Sequence, residues 1–238
     1  IKELKETIFE YGNPYALVEH NPFIFHGKSI SKNLIFIGCI GRYVERGVIQ
    51  KSLKLLRKIG VDFITFDETC CGSILTKLGL EEKEGFLEKN IERIKNLDPK
   101  RVIFLCPSCL KGFKEKLEGI ETRHITEVIE ERVNLSKIPK NNTPITYHDP
   151  CDLGRGCGIY EPQRRIIKGI FSNFSEMEHS GETSLCCGVG GGVRALFPLL
   201  SRKISEIRIN EAKEVGAKII LTDCLSCLHN LKGSLSIT

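Results

Sequence analysis

Ten of the eleven cysteines in this 238-residue chain form one spacing pattern that occurs twice. Each copy has a single cysteine, then an adjacent pair followed by glycine, then two cysteines separated by two residues. The first copy is Cys39, Cys70, Cys71, Cys106 and Cys109, and the second is Cys151, Cys186, Cys187, Cys224 and Cys227. Corresponding positions are offset by 112, 116, 116, 118 and 118 residues. Because thiolates are soft metal ligands, this internal repeat predicts one metal centre in each half.

The count and spacing of the cysteines discriminate among three kinds of site. A secreted disulfide scaffold is disfavoured, because the chain is long and 41% hydrophobic, the count is odd, and adjacent cysteines suit ordinary disulfides poorly. Structural zinc takes four ligands, fewer than the five thiols of each half. A cubane cluster commonly uses a C-x-x-C-x-x-C run, which this sequence lacks. The pattern therefore favours an iron–sulfur cluster of unusual shape in each half, with structural zinc as the alternative.

Short apolar runs alternate with segments of helical periodicity along the chain. We predict strands over 33–38, 61–66, 101–105, 145–148, 175–178 and 218–221. We predict helices over 44–59, 80–97, 126–133, 162–171 and 197–215. This order indicates an α/β fold with two pseudo-symmetric cysteine-rich halves and mostly parallel sheets. Each cysteine group follows a predicted strand, so the clusters are expected at the carboxyl ends of the strands, where ligands collect in such sheets.

The repeat also divides the chain into domains. We predict an N-terminal arm or linker over 1–30 that starts with a short helix, a first cysteine-rich domain over 31–140 and a second over 141–238. The boundary is marked by the sequence Asn-Asn-Thr-Pro at 141–144, which is typical of a turn. Because the chain begins with Ile rather than Met, we expect that residues upstream have been removed.

Charge and hydropathy exclude several classes of partner. The net charge is +5 and no block of Lys and Arg occurs, which argues against nucleic-acid binding. No run of 18 apolar residues occurs, so we predict no transmembrane segment. We expect a cytoplasmic protein that reaches the inner membrane face only through a partner.

Glycines follow both adjacent cysteine pairs. The first pair is followed by Gly72, and the second by Gly188, Gly190, Gly191 and Gly192. Successive backbone N–H groups at such glycines can surround an anionic group, here the sulfides of a cluster, and tune its potential. A nucleotide site is disfavoured, because the run lacks both the G-x-G-x-x-G spacing and a P-loop lysine. The unequal glycine content predicts that the two centres differ and that the second is more approachable.

Other polar residues beside the cysteines are candidates for chemistry. His148 is our candidate catalytic residue, because an imidazole with a pKa near neutrality could pass a proton during thiol release. The alternative is a strand-end histidine that only hydrogen-bonds its surroundings. Arg155 and Arg194 could hold a substrate carboxylate or phosphate, or be ordinary surface charges. Cys157 lies outside the repeat, and we interpret it as a bystander thiol.

These motifs resemble the cysteine-rich CCG domain, whose signature is Cys-Cys-Gly with an upstream cysteine and a downstream C-x-x-C. The sequences of segments 148–155, 186–192 and 216–224 are also similar to sequences of this family. The resemblance covers residues 30 to 235. The domain occurs twice in the catalytic subunit of methanogen heterodisulfide reductases. It also occurs in the iron–sulfur subunits of thiol:fumarate reductase, anaerobic glycerol-3-phosphate dehydrogenase and the lactate and glycolate oxidation systems.

The resemblance implies two noncubane [4Fe–4S] clusters, one on each five-cysteine set. It implies an oxidoreductase subunit that reduces a disulfide of the coenzyme M–coenzyme B type, or oxidises two thiols in reverse. The implied partners are a flavoprotein, a ferredoxin-type iron–sulfur subunit or domain, and a small thiol or disulfide substrate. The alternatives are the thiol:fumarate reductase subunit, and a pure electron-transfer subunit that passes electrons to a quinone and binds no substrate.

Overall fold

The computed structural model describes residues 2–15, 32–80 and 85–235. The chain divides into a first unit, residues 1–128, and a second unit, residues 129–238. Both are mixed α/β units whose strands pair in parallel, which confirms the predicted fold class. The strands are β1 (Asn33–Phe36), β2 (Ile64–Thr65), β3 (Arg101–Phe104), β4 (Glu121–His124), β5 (Ile145–Tyr147) and β6 (Ile219–Leu221). The helices are α1 (Lys2–Tyr11), α2 (Cys39–Tyr43), α3 (Arg46–Lys58), α4 (Ser73–Lys77), α5 (Phe86–Asn96), α6 (Pro107–Phe113), α7 (Ile125–Arg132), α8 (Gly154–Cys157), α9 (Glu161–Ile170), α10 (Val193–Leu196), α11 (Pro198–Glu214) and α12 (Leu225–Leu235).

The first unit is built on a four-stranded parallel sheet with the strand order β2-β1-β3-β4. Its two central strands are continuous apolar runs, as expected of a parallel sheet that is covered on both faces. Their fully buried side chains are Leu34, Ile35, Phe36, Val102, Ile103 and Phe104. The Phe113 ring of α6 lies 5.0 Å from the Phe36 ring and 5.4 Å from the Phe104 ring, measured between centroids. This packing holds α6 against the central strands.

The predicted N-terminal arm includes a helix that joins the core of the first unit. In α1, Ile8 is buried and packs with Leu75 and Phe86. Immediately after the helix, the Gly12 carbonyl accepts a hydrogen bond from the Cys70 amide over 2.8 Å. Residues 2–15 therefore pack on the first unit. Residues 16–30 of the predicted arm lie outside the described residues.

The second unit has a smaller sheet, in which β5 and β6 pair in parallel with Thr146 opposite Ile220. Two isolated parallel bridges accompany it, Asn141 with Phe171 and Ile145 with Phe174. The strand predicted over 175–178 is wrong, because pairing at this point is limited to the bridge at Phe174. The sequence there, Ser-Glu-Met-Glu, offers a single apolar side chain to a sheet.

The two units bury different kinds of side chain. Among the described residues, the first unit buries 28 hydrophobic and six polar or charged side chains. The second unit buries 13 hydrophobic and 13 polar or charged side chains. The second unit therefore depends much more on satisfying buried polar groups, which are costly when they lack a hydrogen-bond partner.

The division between the units, after residue 128, precedes the boundary predicted after residue 140. Glu130 at the end of α7 pairs with Arg165 of α9, with Oε1 and Nε 2.8 Å apart. A Cβ added at Gly169 of α9 would lie 2.9 Å from the Leu135 side chain, so Leu135 packs closely on that helix. The segment before the Asn-Asn-Thr-Pro turn is therefore fixed to the second unit. Within the described residues, no helix is both long and apolar enough to cross a bilayer.

Candidate metal centres

The five cysteines of the first set form one continuous series of thiol contacts. Cys39 contacts Cys70, and Cys70 contacts its neighbour Cys71. The Cys109 thiol donates a hydrogen bond to Cys71 Sγ over 3.3 Å, and Cys109 also contacts Cys106. Three segments that are distant in sequence therefore meet at one point.

The second set repeats this arrangement in the same order. Cys151 contacts Cys186, and Cys186 contacts Cys187. Cys187 contacts Cys227, which contacts Cys224. In both units the series runs from the single cysteine through the adjacent pair to the last cysteine of the C-x-x-C motif, and ends on its first cysteine.

The carboxyl ends of the strands deliver these cysteines, as predicted. Cys39 begins α2 directly after β1, and the pair Cys70 and Cys71 lies between β2 and α4. Cys106 follows β3 and precedes α6, where Pro107 occupies the first helical position. Proline is preferred there because its fixed φ suits a helix start and its missing N–H would have no intrahelical partner. In the second unit Cys151 follows β5 and Cys224 follows β6, but within the described residues no strand leads to Cys186 and Cys187, so the prediction is wrong for that pair.

A glycine before the first cysteine allows the segments to approach closely. Gly38 has φ 84°, in the region that favours glycine. A Cβ added at Gly38 would lie 3.1 Å from Cys106 Cβ and 3.2 Å from Cys109 Sγ. A side chain at this position would therefore push the C-x-x-C segment away from Cys39.

The glycines after the adjacent pairs present backbone amides to the thiols. Gly72 donates to Cys70, and Ser73 donates to Cys71. At the second set, the Gly188 amide donates to Cys186 Sγ over 3.3 Å, and Gly190 also donates to Cys186. Such donation stabilises a thiolate, so these amides suit anionic sulfur ligands.

The last two glycines of the run shape the backbone. Gly191 and Gly192 adopt φ values of 61° and 77° and lead into α10. Gly188 itself has φ 90°. The glycine run therefore directs backbone amides at Cys186 Sγ. It also adopts positive φ values that are energetically unfavourable for other residues.

Crowding gives the thiols unequal affinities for protons. Hydrogen bonds from Cys151 and Cys187 lower the pKa of Cys186 to about 2. The pKa of Cys187 is raised to about 12. The largest cause is the hydrogen bond that its thiol donates to Cys186, and a smaller one is burial. The hydrogen bond that the Cys151 thiol donates to Cys186 likewise raises the pKa of Cys151. A bound cation would displace the protons of these thiols, because it deprotonates its thiol ligands.

The donor sets fit an iron–sulfur group. All eleven cysteines lie in the described part of the chain, and none forms a disulfide. Each set joins five soft sulfur donors, mostly buried, in one series of contacts, with backbone amides directed at the adjacent pair. A single zinc ion requires four such ligands. Five fit a group that contains several metal atoms.

A buried ion pair connects the two loops that carry Cys39 and Cys70. The Glu68 carboxylate accepts hydrogen bonds from the Ile37 and Gly38 amides over 2.9 and 2.6 Å. Arg42 Nε lies 3.1 Å from Glu68 Oε1. Burial raises the pKa of Glu68, while Arg42 and the two amides oppose that rise. Glu68 therefore fixes the end of β1 against the loop before the adjacent pair.

Arginines in corresponding places hold the loops before the adjacent pairs. In the first unit, Arg42 Nη2 donates to the Phe66 carbonyl over 2.6 Å. In the second, Arg155 Nη1 donates to the carbonyls of Glu182 and Ser184 over 3.0 and 2.8 Å. Arg42 lies in the short helix that begins at Cys39, and Arg155 in the short helix that follows Cys151. Arg155 therefore positions the loop that leads to Cys186.

A cluster of charged side chains in the second unit fixes the loop that carries Cys151. Asp149 receives a bidentate pair from Arg164, with N–O distances of 2.8 and 2.9 Å. The Gly181 amide also donates to Asp149 over 2.8 Å, and Arg164 Nε donates to Glu176 over 2.8 Å. Bidentate arginine–carboxylate pairs are strong and directional. The loops before Cys151 and before the second pair are therefore joined through one aspartate.

Each adjacent cysteine pair is also held by a buried asparagine. Asn90 of α5 donates to the Cys70 carbonyl over 3.2 Å and accepts from the Thr69 amide over 3.1 Å. Asn230 of α12 donates to the Cys187 carbonyl over 2.7 Å, and the Ser205 hydroxyl donates to the same oxygen over 2.7 Å. These side chains satisfy backbone groups that would otherwise be buried without partners.

His148 lies next to the second cysteine set and is buried. It is 1% exposed, and Arg208 Nε donates to its Nδ1 over 3.3 Å. Burial, and then the charge of Arg208, lower the pKa of His148 to about 4. His148, Cys187 and Cys227 have ligand atoms within 4.8 Å of one another. Proton transfer by His148 stays a prediction, and the hydrogen bond from Arg208 is the contact that the alternative expects.

Several supporting residues were not predicted from the sequence. Glu68, Asn90 and Asn230 act through partners 20 to 43 residues away. For Asn90 the sequence does contain a clue, since it lies in the buried stripe of α5 between Phe86 and Ile94. An amide in such a stripe indicates a buried partner. Cys157 ends α8 and is buried.

Comparison with known proteins identifies the family. A model of the CCG cysteine-rich domain matches residues 34–114 and 145–232, one match for each five-cysteine set. The chain belongs to the CCG cysteine-rich domain family.

Relatives in this family come from several oxidoreductase systems. The chain is 31% identical over 95% of its length to a subunit of the dihydromethanophenazine:CoB–CoM heterodisulfide reductase of Methanosarcina acetivorans, and it covers 61% of that subunit. It is 30% identical over 84% of its length to a subunit of the fumarate reductase (CoM/CoB) of Methanothermobacter marburgensis, and it covers 41% of that subunit. It is 30% identical over 82% of its length to EtfAB:quinone oxidoreductase of Syntrophomonas wolfei, of which it covers 30%. The chain thus spans less than two thirds of the length of these CCG relatives.

Proposed function

We propose that this chain is the iron–sulfur part of a heterodisulfide reductase-type oxidoreductase and holds two noncubane [4Fe–4S] clusters. The observation that carries the proposal is the matching series of contacts that joins five thiols in each of the two units. Cys39, Cys70, Cys71, Cys106 and Cys109 would hold one cluster, and Cys151, Cys186, Cys187, Cys224 and Cys227 the other. Both sets are complete, which supports two clusters of the same kind.

The proposed reaction is the reduction of a disulfide by two electrons and two protons to two thiols, or the reverse. The electrons come from a flavoprotein or a ferredoxin-type iron–sulfur subunit or domain. Two relatives, the heterodisulfide reductase of M. acetivorans and the fumarate reductase of M. marburgensis, have names that refer to CoM and CoB. The similarity of their subunits to both halves of this chain supports a substrate of the same class.

When bound, the clusters would supply one-electron chemistry and iron that can bind sulfur. The protein residues exclude water and fix the ligands. In the first set only Cys39 is partly exposed, whereas Cys151 and Cys186 are both partly exposed in the second. We therefore assign the approach of a small substrate to the second set. Arg155 and Asp149 keep the two loops of that entrance in place.

A second candidate function is a relay that carries electrons to a quinone and binds no disulfide. The similarity to EtfAB:quinone oxidoreductase favours it. The two functions differ in their response to thiols. Mixing with candidate thiols should produce a new paramagnetic signal in a disulfide reductase and leave a relay unchanged.

Metal analysis of anaerobically purified protein tests the proposal. We expect about eight iron and about eight acid-labile sulfide per chain, as two [4Fe–4S] clusters require. Cys70→Ser and Cys186→Ser should each lose about half of the iron. Cys157→Ser, which changes a buried cysteine outside both sets, is the matched control and should lose none. Zinc without sulfide, or a set variant that retains all its iron, would contradict the assignment.

A further inference from the structure

Helix α11 turns polar side chains inward and apolar side chains outward. Apart from Ile209 and Ala212, its buried residues are polar or charged, namely Ser201, Ser205, Arg208 and Glu211. Its outer residues Leu199, Leu200 and Ile207 are 77%, 51% and 51% exposed. Surface helices of globular proteins normally have the opposite arrangement. Both faces of α11 therefore need an explanation.

The inner face supports the second cysteine set. Ser205 donates to the Cys187 carbonyl over 2.7 Å, and Arg208 donates to His148. The helix backbone also touches the glycine run, since a Cβ added at Gly188 would lie 2.5 Å from the Ser201 carbonyl oxygen. The inner face is polar because it satisfies the backbone around these cysteines. The outer face is consequently one helix diameter, about 10–12 Å, from the second centre.

The outer face continues into the residues just before α11. We define the α11 patch as the exposed residues Leu196, Phe197, Leu199, Leu200 and Ile207. Phe197 is 60% exposed. Positions 199, 203 and 207 share one helix face because they are four residues apart. Contiguous apolar surface of this kind marks interaction sites in soluble proteins.

The surroundings of the α11 patch are basic. No Asp or Glu occurs between residues 183 and 205, whereas Arg194, Arg202 and Lys203 do. Arg202 is paired with Glu206 at 2.9 Å. Lys203 is exposed between Leu199 and Ile207. The patch therefore presents apolar surface with unmatched positive charge.

We propose that the α11 patch docks an acidic electron-carrier protein or domain of the ferredoxin type, which exchanges electrons with the second cysteine set. The proposal rests on the proposed function, because it needs a cluster at that set. Acidic side chains of the carrier would pair with Lys203, and its apolar centre would cover Leu199 and Phe197. A second copy of this chain is a poorer occupant, since a two-fold contact brings the same surface, and hence Lys203, to both sides.

Calorimetric titration with an oxidised, acidic two-[4Fe–4S] ferredoxin tests the docking at low ionic strength. We expect Leu199→Glu and Lys203→Glu each to weaken the Kd at least about tenfold. Lys213→Glu, an exposed lysine of α11 beyond the patch, and Leu55→Glu, an exposed leucine of α3, are the matched controls and should change it less than about twofold. Added salt should weaken wild-type binding more than Lys203→Glu binding, because screening acts on exposed charges.

Stopped-flow reduction adds a second readout. The patch variants should be reduced more slowly by reduced ferredoxin and as fast as wild type by dithionite, which needs no docking surface. Absence of iron in wild type would refute the proposed function instead. Iron-loaded wild type that does not bind the ferredoxin, or patch variants equal to their controls, would overturn the docking proposal. The docking proposal would also be overturned if the patch variants dissociated a homodimer of this chain and left the Kd for ferredoxin unchanged.

Discussion

Replacing Gly188 by alanine should disable the second centre selectively. Gly188 has φ 90°, and an added Cβ would lie 2.5 Å from the Ser201 carbonyl oxygen and 3.1 Å from Ile204 Cβ. The first contact is with helix backbone, which cannot rotate aside as a side chain can. Relief requires a shift of α11 or of the loop whose Gly188 amide donates to Cys186. Either shift separates that amide from its sulfur acceptor.

Two costs contribute to the effect of Gly188→Ala. A non-glycine residue at positive φ costs about 1–2 kcal/mol. Overpacking of a closely packed site adds about 1–3 kcal/mol. We therefore expect the free energy of unfolding to fall by about 2–5 kcal/mol. Gly158→Ala is the matched control, because Gly158 has φ 72° in the same unit but nothing within 4 Å of its added Cβ. It should show only the backbone cost of about 1–2 kcal/mol.

Anaerobic guanidinium unfolding, followed by circular dichroism, measures both variants. Iron content is determined on the same samples. Gly188→Ala should retain about half of the wild-type iron, and Gly158→Ala should retain it all. The reasoning would be refuted if the two variants differed by less than about 0.5 kcal/mol, the usual scatter of neutral substitutions, and contained equal iron.

Two further predictions concern the supports of the cysteines and the buried core. Arg155→Ala removes hydrogen bonds to two carbonyls before Cys186, worth about 1–3 kcal/mol, so a chelator should extract second-set iron faster. Equal extraction rates from the two sets in this variant would contradict that role. Burial lowers the pKa of His124 from 6.5 to about 3. The unfolded chain therefore binds the proton first as pH falls below 6.5, and stability should drop by up to about 1.4 kcal/mol per pH unit. Urea unfolding at about pH 7 and about pH 5 should show a smaller drop for His124→Leu, and an unchanged drop would exclude this histidine as the cause.

The elements that sequence patterns predict well are those whose neighbours are apolar. The runs that became β1 and β3 are buried on both faces, so their composition alone indicates strands. The strand β4 (Glu121–His124) was missed because its Glu-Thr-Arg-His sequence lies at a sheet edge and has no apolar run. The sequence pattern does not predict the helix that starts at Pro107, because ligand spacing alone is enough to explain the C-x-x-C motif. Proline directly after the cysteine was the available clue.

The grouping of the cysteines was predictable, and their supports were not. The repeat and the strand ends together imply that three segments of each half meet. Which loop Glu68 or Asp149 would fix depends on tertiary pairing over 15 to 32 residues, for which a single sequence has no periodic pattern. Likewise the inward polar face of α11 follows from backbone carbonyls that only the folded structure brings to it.

The unequal burial in the two units gives them different temperature responses. Exposure of apolar groups on unfolding raises the heat capacity, whereas exposure of polar groups lowers it. Among the described residues, the first unit buries 28 hydrophobic and six polar side chains, so it should have the more sharply curved dependence of stability on temperature. The described residues of the second unit bury 13 of each kind, so its curve should be flatter. Its buried ion pairs also become less costly as the hydration of charge weakens on heating. Cooling should thus weaken the first unit more than the second.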